Sequence, residues 1–135
     1  MRGYEILEHT ADVGIRATGP TLEACFEEAT RALADIIGIL SPGRGRPQRV
    51  EVTAPDLGAL LVDWLGEILY LHDARDAVIT DVVVDSVADG RAAGAVSLSA
   101  RESPAEGTQV KAITWHRLDV RETAEGFVAE VYVDV

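Results

Sequence analysis

From residue 78 onward the apolar residues recur at every second position, whereas two earlier stretches repeat them at steps of three and four. Leu22, Phe26, Ala29, Leu33 and Ile36 or Ile37 lie on one face of a 3.6-residue helix, and so do Leu57, Leu61, Trp64, Ile68 and Leu71. This spacing predicts two amphipathic helices. Thr21, after Pro20, suits the first N-cap, with Glu23, Glu27 and Glu28 near the positive end of the dipole. Asp56 suits the second, whose reading covers residues 54–74 with Asp63 and Glu67 facing solvent.

The remaining patterned segments read as strands. Residues 4–7 and 13–19 form a first pair, the latter alternating Val13, Ile15 and Ala17 with Gly14, Arg16 and Thr18. A further strand is expected at 49–54, after an exposed Pro/Gly/Arg loop at 41–48. Residues 78–87, 91–100, 108–120 and 126–135 predict four more, separated by the turn-like sequences ADG, RESPAEG and RETAEG. In the last strand Asp134 and Glu130 share a face with Val128 and Tyr132. The expected architecture is α+β, two helices packed on one face of a mixed, mainly antiparallel sheet, in a single domain covering residues 1–135.

Charge narrows the choice of partners. The chain carries 23 acidic and 12 basic side chains, a formal net charge of −11. Nucleic-acid affinity depends on Lys and Arg displacing condensed counterions, so direct, tight RNA or DNA binding is not expected. A basic protein or a metal cation is the better electrostatic match. No apolar run reaches the roughly 18 residues of a membrane span, and no secretory h-region opens the sequence, so a cytoplasmic location without membrane attachment is expected. Cys25, the single cysteine, excludes an intrachain disulfide and falls on the buried side of the first helix, where a free thiol serves as core filler. Trp64 is read as core for the same positional reason.

No phosphate loop, nucleophile elbow, HExxH motif or Cys/His zinc spacing is present. The polar cluster EHTAD at 8–12 sits between the first two strands. Asp12 could simply cap a turn, the ordinary work of an Asp in that position. Asp134 stands beside the α-carboxylate of Val135, and two anions that close repel unless a cation neutralises them. If the first strands pair near the end of the last, Asp12 joins them, and three oxygen groups suit a hard cation such as Ca²⁺ or Mg²⁺. His9 reads as a hydrogen-bonding brace and His72 as a helix-terminal cation. Lys111 could be a solvated charge or the neutraliser of the carboxylates; it and His116 belong to one strand, five positions apart, so they are expected on opposite faces and cannot serve one site.

Three segments, YEILEHTADVGIRATGPTLEACFEEATRAL near the start, LLVDWLGEILYLHD in the second helix and VKAITWHRLDV with the terminal DV, resemble the archease family in order and spacing from residue 4 to the last residue. The resemblance implies an archease-like α+β fold and a role as protein cofactor rather than enzyme. Its partner would be an RtcB-type RNA ligase of tRNA splicing and RNA repair, whose histidine guanylylation and multiple turnover it promotes. It also implies a metal held by Asp12, Asp134 and the carboxyl of Val135, a Ca²⁺-like ion with Mg²⁺ or Mn²⁺ as alternatives, supported by Lys111 and His9. Trp115 stands where members often have Tyr. Two other readings accompany this one: a chaperone-like modulator of RNA-modifying enzymes such as a tRNA methyltransferase, and a metal-dependent hydrolase, which the thin set of general bases disfavours.

Overall fold

The computed structural model describes residues 1–8 and 12–135. Its elements run β1 (Gly3–Glu8), β2 (Asp12–Gly19), α1 (Leu22–Ile37), β3 (Arg46–Thr53), α2 (Leu57–Arg75), β4 (Ala77–Ala88), β5 (Arg91–Ala100), β6 (Ala112–Ile113), β7 (Asp119–Thr123) and β8 (Gly126–Asp134). The α+β class holds, and every ladder between these strands is antiparallel. The strands divide into two sheets: a five-stranded one ordered β1-β2-β8-β6, with β7 also on β8, and a three-stranded one ordered β3-β5-β4.

Both helices begin where their polar caps predict. The Thr21 hydroxyl accepts the Ala24 N–H at 3.1 Å, and an Asp56 carboxylate oxygen accepts the Ala59 N–H at 2.8 Å. Gly38 ends α1 in the left-handed region at φ 82°, donating its N–H to the Ala34 and Asp35 carbonyls. The apolar face of α1, with Phe26, Ala29 and Leu33 fully buried, packs on β2 of the large sheet and β4 of the small one. Burial of a side chain such as Leu33 or Phe26 contributes about 1.5–3 kcal/mol, so this helix ties the two sheets into one core. Trp64 is buried as expected, its indole N–H donating to Thr30 Oγ1 at 2.9 Å while that hydroxyl donates to the Phe26 carbonyl at 2.8 Å. Cys25 is likewise buried, its thiol directed at the Ala17 carbonyl and its pKa pushed up to about 11 by burial.

Glu23 and Glu27 do more than complement the helix dipole. Their carboxylates accept the N–H groups of Val87 and Val84, each at 2.8 Å, on the edge strand β4, whose ladder with β5 shifts register between Ile79 and Asp81 and between Val84 and Ser86. The helix therefore satisfies edge donors that a bare strand would leave open.

Two expectations need correction. The loop expected at 41–48 ends earlier, because Arg46–Gln48 already pair with Val96–Leu98; Pro47 is tolerated there since β3 is an edge strand. The strand expected over 108–120 is broken into the two-residue β6 and the separate β7. The break comes after Thr114, whose N–H and hydroxyl both donate to the Tyr132 carbonyl at 2.9 Å while its Oγ1 accepts the His116 N–H at 3.3 Å. A turn follows, closed by Leu118 N–H to the Trp115 carbonyl, with Arg117 at φ 54°. Alternation cannot pass through a turn, so opposite-face placement of Lys111 and His116 does not apply.

Candidate functional site

Strands β2 and β8 run side by side for eight register pairs, from Gly19↔Phe127 to Asp12↔Asp134. Directly opposed residues project to the same face of a sheet. Ile15 with Val131 and Ala17 with Ala129 turn inward and have no exposed surface. The alternate pairs, Arg16 with Glu130, Gly14 with Tyr132 and Asp12 with Asp134, occupy the other face. Along most of that face the charges are balanced. Arg16 meets Glu130 at 3.1 Å and Glu5 at 3.7 Å, and Arg121 meets Glu130 at 3.3 Å and Asp119 at 2.6 Å.

The end of the ladder differs. Asp12 and Asp134 oppose each other, and among the described residues neither carboxylate forms an ion pair with a Lys, Arg or His. Like charges directly opposite on neighbouring strands are destabilising, so two carboxylates held in this register form a place where a cation would be favourable. The far side of β8 is occupied by β6: Ala112 is the register partner of Asp134, and the Lys111 N–H donates to the Asp134 carbonyl at 2.8 Å. Lys111 is exposed. Val135 follows Asp134 and is partly exposed. The structure thus brings Asp12, Asp134, Val135 and the Lys111 backbone to one corner of the large sheet. His9 lies outside the described residues.

Among the described residues no three His, Cys, Asp or Glu side chains cluster with metal-binding spacing. A cation at this corner would depend on two side-chain carboxylates completed by a main-chain oxygen of Val135. Such an all-oxygen set fits a hard ion of the Ca²⁺ or Mg²⁺ kind and not a thiolate- or imidazole-seeking one.

Three further residues shape the corner. Tyr132, buried, stands between the Glu130 and Asp134 positions on the same face. Its ring lies over Gly14, where an added Cβ would come within 2.7 Å of Cε2 and 2.9 Å of Cζ. His116 meets the same ring edge-on, with centroids 6.0 Å apart and planes at 72°. The shared face of Tyr132 and Asp134 was visible in the alternation of the last strand, but the arrival of His116 depends on the turn after Thr114. His72 lies elsewhere, its Nδ1 3.0 Å from the Ala77 carbonyl at the end of α2, consistent with a structural role.

Residues 4–135 match the model of the Archease protein family. A protein archease of Methanosarcina mazei is 37% identical over 139 residues, spanning 98% of this chain and 95% of that protein. One from Pyrococcus furiosus is 35% identical over 144 residues, spanning 100% of both. Among solved structures, Methanobacterium thermoautotrophicum protein 1598 superposes with a TM-score of 0.80 at 32% identity, covering 98% of this chain and 99% of that one. A Thermotoga maritima archease described as a possible chaperone gives a TM-score of 0.64 at 19% identity, covering 97% and 96%, and bears on the fold alone.

Proposed function

Because the chain belongs to the archease family, we propose that it acts as an accessory protein, activating an RtcB-type RNA ligase in tRNA splicing and RNA repair without joining RNA itself. The observation that carries this reading is the cross-strand pair Asp12 and Asp134 at the corner of the large sheet, which has no ion-pair partner among the described residues. An acidic corner on a chain of net charge −11 suits a partner whose active site must be basic to hold nucleotide and RNA phosphates.

In this reading Asp12, Asp134 and the carboxyl of Val135 hold a divalent ion, Ca²⁺ by preference. When bound, the ion supplies charge neutralisation and ligand sites for oxygen. The chain's own contribution is positional: β2 and β8 hold Asp12 and Asp134 in register, and the Lys111 N–H on the Asp134 carbonyl starts the exposed lysine side chain from the same corner. Guanylyl transfer to the ligase histidine is governed by positioning and charge, so a second protein can accelerate it without a nucleophile of its own.

The test is ligase guanylylation and multiple turnover with wild-type protein and with Asp12→Ala. Loss of stimulation by the variant, with an unchanged circular-dichroism spectrum, is expected; equal stimulation overturns the proposal.

A further inference from the structure

We propose that Trp115 is the anchor by which this acidic corner docks on its partner protein, seating in an apolar pocket rimmed by basic residues. The inference rests on the accessory-protein reading above and names the contact through which it acts.

The two tryptophans of the chain have opposite environments. Trp64 has no exposed surface, whereas Trp115 is 61% exposed and its indole makes no hydrogen bond among the described residues. An exposed Trp carries a large apolar area and, on a mobile loop, would give up much of its binding energy to ordering. Trp115 is not so placed. The turn that carries it is pinned on one side by the two Thr114 bonds to the Tyr132 carbonyl, closed on the other by Leu118 N–H to the Trp115 carbonyl, and held between by the His116 N–H on Thr114 Oγ1. The His116 ring resting edge-on against Tyr132 adds a side-chain brace. The indole is therefore presented with its backbone already ordered.

Its position supplies the second half of the argument. Thr114 bonds the carbonyl of Tyr132, two residues before Asp134, so the turn adjoins the Asp12 and Asp134 corner. A rigid aromatic beside the Asp12 and Asp134 carboxylates, which have no ion-pair partner among the described residues, is the arrangement of an interface hot spot with a charged surround, in which Trp is over-represented. Charge complementarity selects the occupant: a protein surface that pairs an apolar pocket with Lys or Arg, as the mouth of a phosphate-handling enzyme does. RNA is disfavoured because the chain's net charge of −11 repels its backbone, even though Arg117 of the same turn is basic and exposed.

The experiment measures equilibrium binding of labelled wild type, Trp115→Ala and Trp115→Phe to an RtcB-type ligase by fluorescence anisotropy, with Ca²⁺ affinity of each read by calorimetry. Trp115→Ala should weaken ligase binding by about tenfold or more, and Trp115→Phe should recover most of it. Ca²⁺ affinity should stay within about twofold of wild type, since the indole is an anchor for the partner and not for the ion. Wild-type binding by Trp115→Ala overturns the anchor alone. Absence of binding by the wild-type protein overturns both the anchor and the ligase reading on which it rests, and binding of single-stranded RNA by wild type that Trp115→Ala abolishes would replace the protein occupant with a nucleic acid.

Discussion

The Glu27 carboxylate accepts the backbone N–H of Val84 at 2.8 Å, so a helix side chain closes the edge of a strand 57 positions away. The same carboxylate pairs with Arg2 at 2.9 Å. Replacing Glu27 by Ala leaves a largely buried amide of β4 without its acceptor, which costs about 1–3 kcal/mol. Glu27→Gln keeps a neutral acceptor and should recover part of that loss. Urea denaturation reads the difference directly; equal midpoints for wild type and Glu27→Ala would show that the edge is satisfied in another way.

Gly14→Ala is predicted to destabilise the protein by about 1–3 kcal/mol through overpacking. The new Cβ would meet the Tyr132 ring at 2.7 Å and Leu7 Cβ at 3.1 Å, and Tyr132 is too buried to swing aside freely. Because the ring also supports His116, the strain should spread into the turn that holds Trp115. A lowered Tm with a shifted Trp115 emission is the expected signature. An unchanged Tm would mean that the sheet opens at this corner without cost.

Cys25 should be silent to thiol reagents until the protein unfolds. Burial raises its pKa from 9.0 to about 11, so the native thiol keeps a proton that the unfolded chain has lost. The sign follows: the group's stabilising contribution is complete below pH 9.0 and is lost as pH rises from there to about 11, at up to about 1.4 kcal/mol per pH unit. Cys25→Ala should flatten that part of the stability profile. Rapid alkylation of the folded protein at pH 8 would contradict the burial argument.

Helices were more legible than strands in this chain for a physical reason. Thr21 and Asp56 announce their helices because a cap acts on amides three residues away, and a window of a few residues contains the whole interaction. The partition into two sheets depends on partners far apart, such as Arg16 with Glu130 or Arg49 with Ala95, and period-two alternation is the same in either sheet. The break at Thr114 was hidden because that threonine is a good strand residue whose hydroxyl finds the Tyr132 carbonyl only in the folded chain. At the site, repulsion between Asp134 and the neighbouring α-carboxylate pointed to Asp134, whereas Asp12 entered only on the condition that the first strands pair near the end of the last, and the β2–β8 register sets the two residues opposite each other. Tyr132, Gly14 and His116 required the three-dimensional arrangement.

Asp134→Asn separates the electrostatic cost of the corner from its proposed use. In a chelator, with no divalent ion present, the variant relieves a like-charge cross-strand pair and should be as stable as wild type or more stable by about 0.2–1 kcal/mol. Added Ca²⁺ should reverse the order, because an ion that binds only the folded state stabilises it in proportion to its affinity, by about 2.7 kcal/mol at a hundredfold excess over Kd. The wild-type Tm should therefore climb with Ca²⁺ while that of Asp134→Asn moves little. The crossing of the two curves is the diagnostic, since a carboxylate that merely capped a strand end would lose stability on substitution in both conditions. A wild-type Tm indifferent to millimolar Ca²⁺, Mg²⁺ and Mn²⁺ would remove the ion from the proposal and leave the acidic corner as a docking surface only.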